Sequence, residues 1–127
     1  MAFALDHISL HVIQIEVAVD FYKQLFKLAE VPPKVARPGV RWLQLANGPT
    51  IHLIPGATED SEKSFGDHFA LATSDFDALL DRLRELNVPF GTSAGMNGEY
   101  QTRPDGFRQV YFRDPDNNLV EVNDVIK

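Results

Sequence analysis

A chain of 127 residues with 44% hydrophobic and 24% charged side chains has the size and balance of one ordinary domain, which excludes disordered and collagen-like classes. Eighteen acidic against twelve basic residues give a formal charge of -6, and no Lys/Arg cluster reverses that sign, so no nucleic-acid partner is expected. Cysteine is absent, which excludes disulfides and thiolate chemistry and leaves only nitrogen and oxygen to hold a metal. No apolar run approaches the ~18 residues of a membrane span, and Asp6 interrupts the first apolar stretch, so neither a span nor an export signal is predicted and the expected location is cytoplasmic.

The first expected strand is Asp6 to Val12, and an amphipathic helix is expected from about Glu16 to Lys27. In that helix Val17, Phe21, Leu25 and Leu28 recur at three- and four-residue spacing, opposite Asp20, Lys23, Gln24 and Lys27. A weaker strand is expected after Val31-Pro32. Then Trp42 to Ala46 and Thr50 to Ile54 alternate around Asn47-Gly48, a strong short-range hairpin signal. The polar stretch from Gly56 to Gly66 reads as a linker.

The pattern then repeats. Asp67-His68-Phe69-Ala70-Leu71 echoes Asp6-His7-Ile8-Ser9-Leu10 at an offset of 61 residues, 7 to 68. Ser74 is the expected N-cap of a second helix whose apolar face is Phe76, Leu79, Leu80, Leu83 and Leu86. Val88-Pro89 follows, again with a weaker strand after it. Ser93 to Asp105 reads as a long mobile loop, and Phe107 to Arg113 and Leu119 to Asn123 as strands around Asp116-Asn117-Asn118, where Asn suits a left-handed turn. The organisation expected is thus α+β, with a β-α-β-β-β module at 1–55, a linker at 56–66 and a second module at 67–127 within one domain.

Side chains of a strand alternate between its two faces, so parity sorts them. Ile8, Leu10, Val12, Ile51, Leu53, Phe69, Leu71, Val120 and Val122 take the face that meets the helices. His7, Thr50, His52, His68, Leu119, Glu121 and Asn123 take the other. Three histidines and one glutamate, on four strands at equivalent places of two half-repeats, therefore share the face away from the helix core. Imidazoles with a carboxylate form a ligand set for a divalent transition metal that leaves positions for water or substrate. His11 shares the face of His7 but lies roughly 13 Å along the strand, too far to share a metal, and reads as structural. Trp42 and Gln44 lie opposite Leu43 and Leu45, as a candidate wall for an apolar substrate. Gln109 and Tyr111 lie opposite Val110 and Phe112. Met96, Tyr100 and Arg103 are candidates for a lid, and solvated charge is the plainer reading of Arg103 and Arg108.

The motifs LDHISLHV, VDFYKQLFKL, GDHFALAT and VYFRDPDNNLVEV make the whole chain resemble the vicinal oxygen chelate superfamily, the glyoxalase/bleomycin-resistance/dioxygenase group. The resemblance implies paired modules that form a curved, mostly antiparallel sheet cup with helices on its outer face. It also implies a homodimer with sites at the subunit interface. It carries metal-ligand roles to His7, His68 and Glu121, and places His52 as a fourth ligand or a base where glyoxalase I carries a glutamate. Tyr111, two residues before Arg-Asp-Pro-Asp, matches a substrate-facing tyrosine of the fosfomycin-type thiol transferases.

The function implied is a lyase or isomerase using one divalent metal per site (Zn, Ni, Fe, Mn or Co) on a small substrate that chelates through two adjacent oxygens. The catalytic candidates are His52 and Tyr111, and the substrate-binding candidates Trp42, Gln44, Gln109 and Arg103. The alternatives are a ring-cleaving dioxygenase, a thiol transferase on the same ligands, and a non-catalytic small-molecule binder of the bleomycin type.

Overall fold

The computed structural model describes residues 2, 4–35, 37–58 and 68–126. It divides into two compact units, Met1–Glu62 and Lys63–Lys127. The expected linker, 56–66, lies outside the described residues from 59 onward. Among the described residues, two helices and nine strands build two mixed sheets that do not close into a barrel. No described helix is long and apolar enough to cross a membrane.

The first unit runs β1 (His7–Val12), α1 (Ile15–Phe26), β2 (Ala29–Val31), β3 (Arg41–Gln44) and β4 (Thr50–Pro55). Its sheet order is β1-β4-β3-β2, with β1 and β4 parallel and the other pairs antiparallel. The second runs β5 (His68–Ala72), α2 (Phe76–Glu85), β6 (Phe90–Gly91), β7 (Gln101–Thr102), β8 (Arg108–Arg113) and β9 (Leu119–Asn123). Its order is β5-β9-β8-β6, with β5 and β9 parallel and β7 added on β8. Without β7 the two units have one topology, the expected β-α-β-β-β. Asn47 and Gly48 both take positive φ, 67° and 112°, in the β3–β4 hairpin, and Asn117 takes 65° in the β8–β9 turn, as their side chains predict.

Several local expectations are corrected. The buried residues of α1 are Ala18, Val19, Tyr22 and Leu25, whereas Val17 is 45% exposed. Ala18, Tyr22 and Leu25 recur at the same helical spacing as the predicted stripe, and the helix turns this second series toward β3 and β4. Tyr22 packs edge-on to Phe21 and stacks on Phe26, so an aromatic body with a polar tip joins the core. The N-cap of α2 is Asp75, one residue later than Ser74. Its Oδ1 accepts from the Ala78 N–H at 3.3 Å, and Thr73 Oγ1 accepts from its own N–H. Leu86 is the C-cap of α2 and is exposed.

The weak strand of the first unit precedes Val31-Pro32 instead of following it. Pro32 and Pro33 have no N–H to give a ladder, so β2 ends at Val31. In the second unit β6 does follow Pro89. The 93–105 loop is not structureless: Thr92 bridges Gly95, Gln101 Oε1 accepts from the Ser93 N–H, and β7 pairs with β8.

The core of the first unit gathers Val12, Ala18, Val19, Tyr22, Leu25, Leu43, Ile51 and Leu53, all at most 1% exposed. In the second unit β9 is buried along its whole length, on the helix face through Val120 and Val122 and on the opposite face through Leu119, Glu121 and Asn123. Parity alone assigned that opposite face to the open side. β4, equally central between β1 and β3, is only half-buried on the same face, so a central place in the sheet does not by itself account for it.

Two measurements follow from this packing. A Cβ on Gly91 would stand 2.0 Å from Gly95 O and 2.6 Å from Asn97 N, both backbone atoms, so Gly91→Ala is expected to lower the urea unfolding free energy by about 1–3 kcal/mol. Arg41 donates from Nε and Nη2 to the two carboxylate oxygens of Glu30, at 2.5 and 2.7 Å, and from Nη1 to Glu16. The Arg41 hydrogen bonds, together with its charge and that of Lys23, hold the Glu30 carboxyl below its usual range against some opposing burial. The stability this contributes is present above the ordinary carboxylate pKa and is lost as pH falls through the lowered one. Comparing Glu30→Gln with the unmodified chain should therefore give a deficit on the order of 0.5–1 kcal/mol at neutral pH that shrinks toward zero in acid.

Candidate metal centre

In the first unit, parallel pairing sets Ser9 opposite His52 and His7 opposite Thr50, and antiparallel pairing sets Trp42 opposite His52. Strands lie about 4.8 Å apart, so rings on neighbouring strands of one face can stack. They do. Trp42 and His52 have ring centroids 3.9 Å apart with planes 10° from parallel, and His52 and His7 are 4.1 Å apart at 6°. His7 Nδ1 is 2.7 Å from Asp6 Oδ2, which leaves Nε2 as the nitrogen His7 can offer a metal. His52 Nε2 is 2.8 Å from Thr50 Oγ1. Burial, followed by the charge of His7, pushes the His52 imidazole below its usual pKa against the opposing charge of Asp6. His52 is consequently a neutral lone-pair donor around neutral pH.

In the second unit the same pairing sets Ala70 opposite Glu121, and β8 sets Tyr111 opposite Glu121 and Gln109 opposite Asn123. His52 and Glu121 thus occupy equivalent places on β4 and β9, and His7 and His68 equivalent places on β1 and β5. His68 Nε2 lies 3.5 Å from Glu121 Oε1. The carboxylate is only 7% exposed, and its Oε2 accepts from Asn123 Nδ2 at 2.9 Å. Tyr111 sits edge-on to His68 at 5.8 Å, and its oxygen lies 3.4 Å from Gln109 Nε2. Burial first, and then the charge of Glu121 and a hydrogen bond with it, push the Tyr111 hydroxyl above its usual pKa, with Arg103 opposing. Tyr111 therefore remains a phenol that can donate.

These residues suit a divalent cation. A carboxylate out of water needs a compensating positive partner, and Glu121 has one oxygen held by an amide and the other turned to an imidazole nitrogen. In each unit two of the predicted residues lie together, His7 with His52 and His68 with Glu121. Among the described residues, no three His, Cys, Asp or Glu side chains group to hold a metal. His11 is exposed on β1 and joins neither pair.

The other predicted residues have varied surroundings. Gln44 Nε2 faces the carbonyls of Leu45, Gly48 and Pro49 and braces the β3–β4 turn. Arg103 pairs with Asp105 at 2.6 Å and lies over Phe107. Arg108 is held by Asp124 and Asp77 and lies over Phe76 and Tyr100, so neither arginine is merely solvated. Tyr100 packs edge-on to Phe76 at the start of α2. Sequence reasoning missed Asp6 as a partner of His7, although its adjacency was a signal. It placed Thr50 and Asn123 on the site face without assigning them a task.

The family model of the Glyoxalase/Bleomycin resistance protein/Dioxygenase superfamily matches residues 4–122. None of the curated protein sequences matches this chain. Solved structures similar to it include the oxidase ChaP-H2, with a TM-score of 0.79 and 21% identity over 99% of this chain and 96% of that one. A lactoylglutathione lyase from Agrobacterium tumefaciens gives 0.71 and 22% over 96% and 93%. A mutant of the fosfomycin resistance protein FosX from Listeria monocytogenes, complexed with Mn(II) and 1S,2S-dihydroxypropylphosphonic acid, gives 0.75 and 23% over 98% and 93%. At these identities the structures establish a shared fold. With the family model spanning nearly its whole length, the chain belongs to the Glyoxalase/Bleomycin resistance protein/Dioxygenase superfamily.

Proposed function

We propose that this chain is a divalent-metal enzyme of the glyoxalase type, a lyase or isomerase acting on a small substrate that chelates through two adjacent oxygens. Its ligands are His7, His68 and Glu121, with His52 as a fourth ligand or as the base. The observation that carries this reading is the buried Glu121 carboxylate, tied at Oε2 by Asn123 and facing His68 Nε2 at 3.5 Å. It is supported by the stacked His7–His52 pair at the equivalent register in the other unit. A metal held by these donors supplies Lewis acidity for a substrate oxyanion.

The chain's own groups supply the remainder. His52, neutral because burial disfavours its charged form, takes a proton from the substrate. Tyr111, kept protonated, donates a hydrogen bond to a substrate oxygen. Trp42 forms an apolar wall, and Gln109 and Arg103 contact polar parts of the substrate. The chain acts as a homodimer.

A second reading, a fosfomycin-type transferase on the same ligands, is favoured by the place of Tyr111 beside His68 and Glu121. The lactoylglutathione lyase, FosX and oxidase neighbours support an enzyme without choosing among chemistries.

Elemental analysis of protein purified without added metal is expected to find about one divalent metal per chain, and His68→Ala or Glu121→Ala to remove most of it. Turnover of a methylglyoxal–thiol hemithioacetal that disappears in both variants supports the lyase. Oxygen uptake on catechols after anaerobic iron loading, or thiol addition to an epoxide phosphonate, would replace it with the dioxygenase or the transferase. Ligand binding that persists in both metal-free variants would leave a non-catalytic binder. Light scattering is expected to give a mass about twice 14.3 kDa in solution.

A further inference from the structure

We propose that Thr50 is a positioning residue that fixes His52 in the one orientation in which Nδ1 is the atom it presents to metal or substrate. Thr50 and His52 are two residues apart on β4 and therefore on the same face, with Oγ1 and Nε2 2.8 Å apart. The ring plane is set separately. Trp42 covers one side of His52 at 3.9 Å, and His7 stacks on it at 4.1 Å.

Stacking alone leaves two orientations. A half-turn about Cβ–Cγ keeps the plane and both ring contacts, but it exchanges Nδ1 with Cδ2 and Nε2 with Cε1. Only one of these orientations keeps a nitrogen against Thr50 Oγ1. The hydrogen bond decides between arrangements that Trp42 and His7 cannot distinguish, with a preference of about fivefold to tenfold. With Nε2–H donating to Oγ1, the lone pair lies on Nδ1, and among the described residues Nδ1 has no hydrogen-bond partner. His7 is arranged the opposite way: its Nδ1 is engaged by Asp6, and Nε2 is presented. Thr50 also joins the two halves of this device, because its backbone N–H donates to the Asp6 carbonyl at 3.2 Å.

The use made of Nδ1 rests on the metal-enzyme reading above; the orientation of the ring does not. The test therefore has a metal-free arm and a metal arm. In the first, the full chain labelled with 15N-histidine and stripped of metal is examined by long-range 1H–15N correlation at mildly basic pH, with His52 assigned by its loss in His52→Gln. The expected pattern is an Nε2–H tautomer that persists in Thr50→Ser and gives way to a mixture in Thr50→Val. An Nδ1–H tautomer in the unmodified chain overturns the proposal, whether or not Thr50→Val folds, and so does an unchanged pattern in a folded Thr50→Val.

In the second arm, Zn2+ affinity is measured by chelator competition. Thr50→Val is expected to bind about tenfold more weakly, and Thr50→Ser close to the unmodified chain. Equal affinity in Thr50→Val and the unmodified chain overturns the claim that Nδ1 is the presented atom. The expected tautomers in a chain that retains no zinc would leave Thr50's role standing and remove the metal-enzyme reading.

Discussion

The polar face of each unit depends on one backbone constraint, the parallel hydrogen bonding of its first strand to its last. Residue 52 lies opposite Ser9 and residue 121 opposite Ala70, so a donor on the last strand falls beside a histidine two residues earlier on the first. A slip by one residue in either strand would turn His52 or Glu121 onto the helix face and put a branched apolar side chain in its place. The apolar residues that alternate with the donors, Ile51 and Leu53 on β4 and Val120 and Val122 on β9, are fully or almost fully buried, and their burial is what resists such a slip. The site geometry is in this sense a product of the core.

The two units solve one problem with different chemistry. Each must hold a polar group on a central strand at a partly or wholly dry surface and keep it from turning. In the first unit, stacking between Trp42 and His7 sets the ring plane of His52, and the Thr50 hydroxyl sets which way the ring faces within it. In the second the rings at the equivalent places, His68 on β5 and Tyr111 on β8, flank a carboxylate that cannot stack, and Asn123 Nδ2 holds it by a hydrogen bond to Oε2. An imidazole in the first setting loses its proton readily, while a carboxylate in the second keeps a demand for positive charge that neutral donors only partly meet.

Away from this face, the second unit has an additional device. Arg108 is enclosed by Asp77 at the start of α2, Asp124 after β9 and the rings of Phe76 and Tyr100. It ties three chain segments together and anchors the 93–105 loop through Tyr100. Arg41 does comparable work in the first unit, joining β3 to β2 and to α1 through Glu30 and Glu16. Both are partly exposed, so their worth lies in fixing register more than in raw stability.

Much of this was legible in the amino-acid order. The D-H-x-small-Leu echo, the hairpin signals at Asn47-Gly48 and Asn117, and strict alternation on four strands determined the β-α-β-β-β repeat and, within each unit, the sheet face on which His7 and His52, or His68 and Glu121, lie, because a strand's sidedness is a local property of its backbone. Tertiary structure alone decided which series of α1 residues is buried, since Val17–Phe21–Leu25 and Ala18–Tyr22–Leu25 are equivalent until a sheet is packed against one of them. It alone decided that the outward face of β9 is dry, because the burial of a face depends on what surrounds it and not on the strand's own alternation. It also settled which atom of each donor is engaged, Nδ1 of His7, Nε2 of His52 and Oε2 of Glu121, since a hydrogen bond depends on side-chain rotation that no spacing in the sequence encodes.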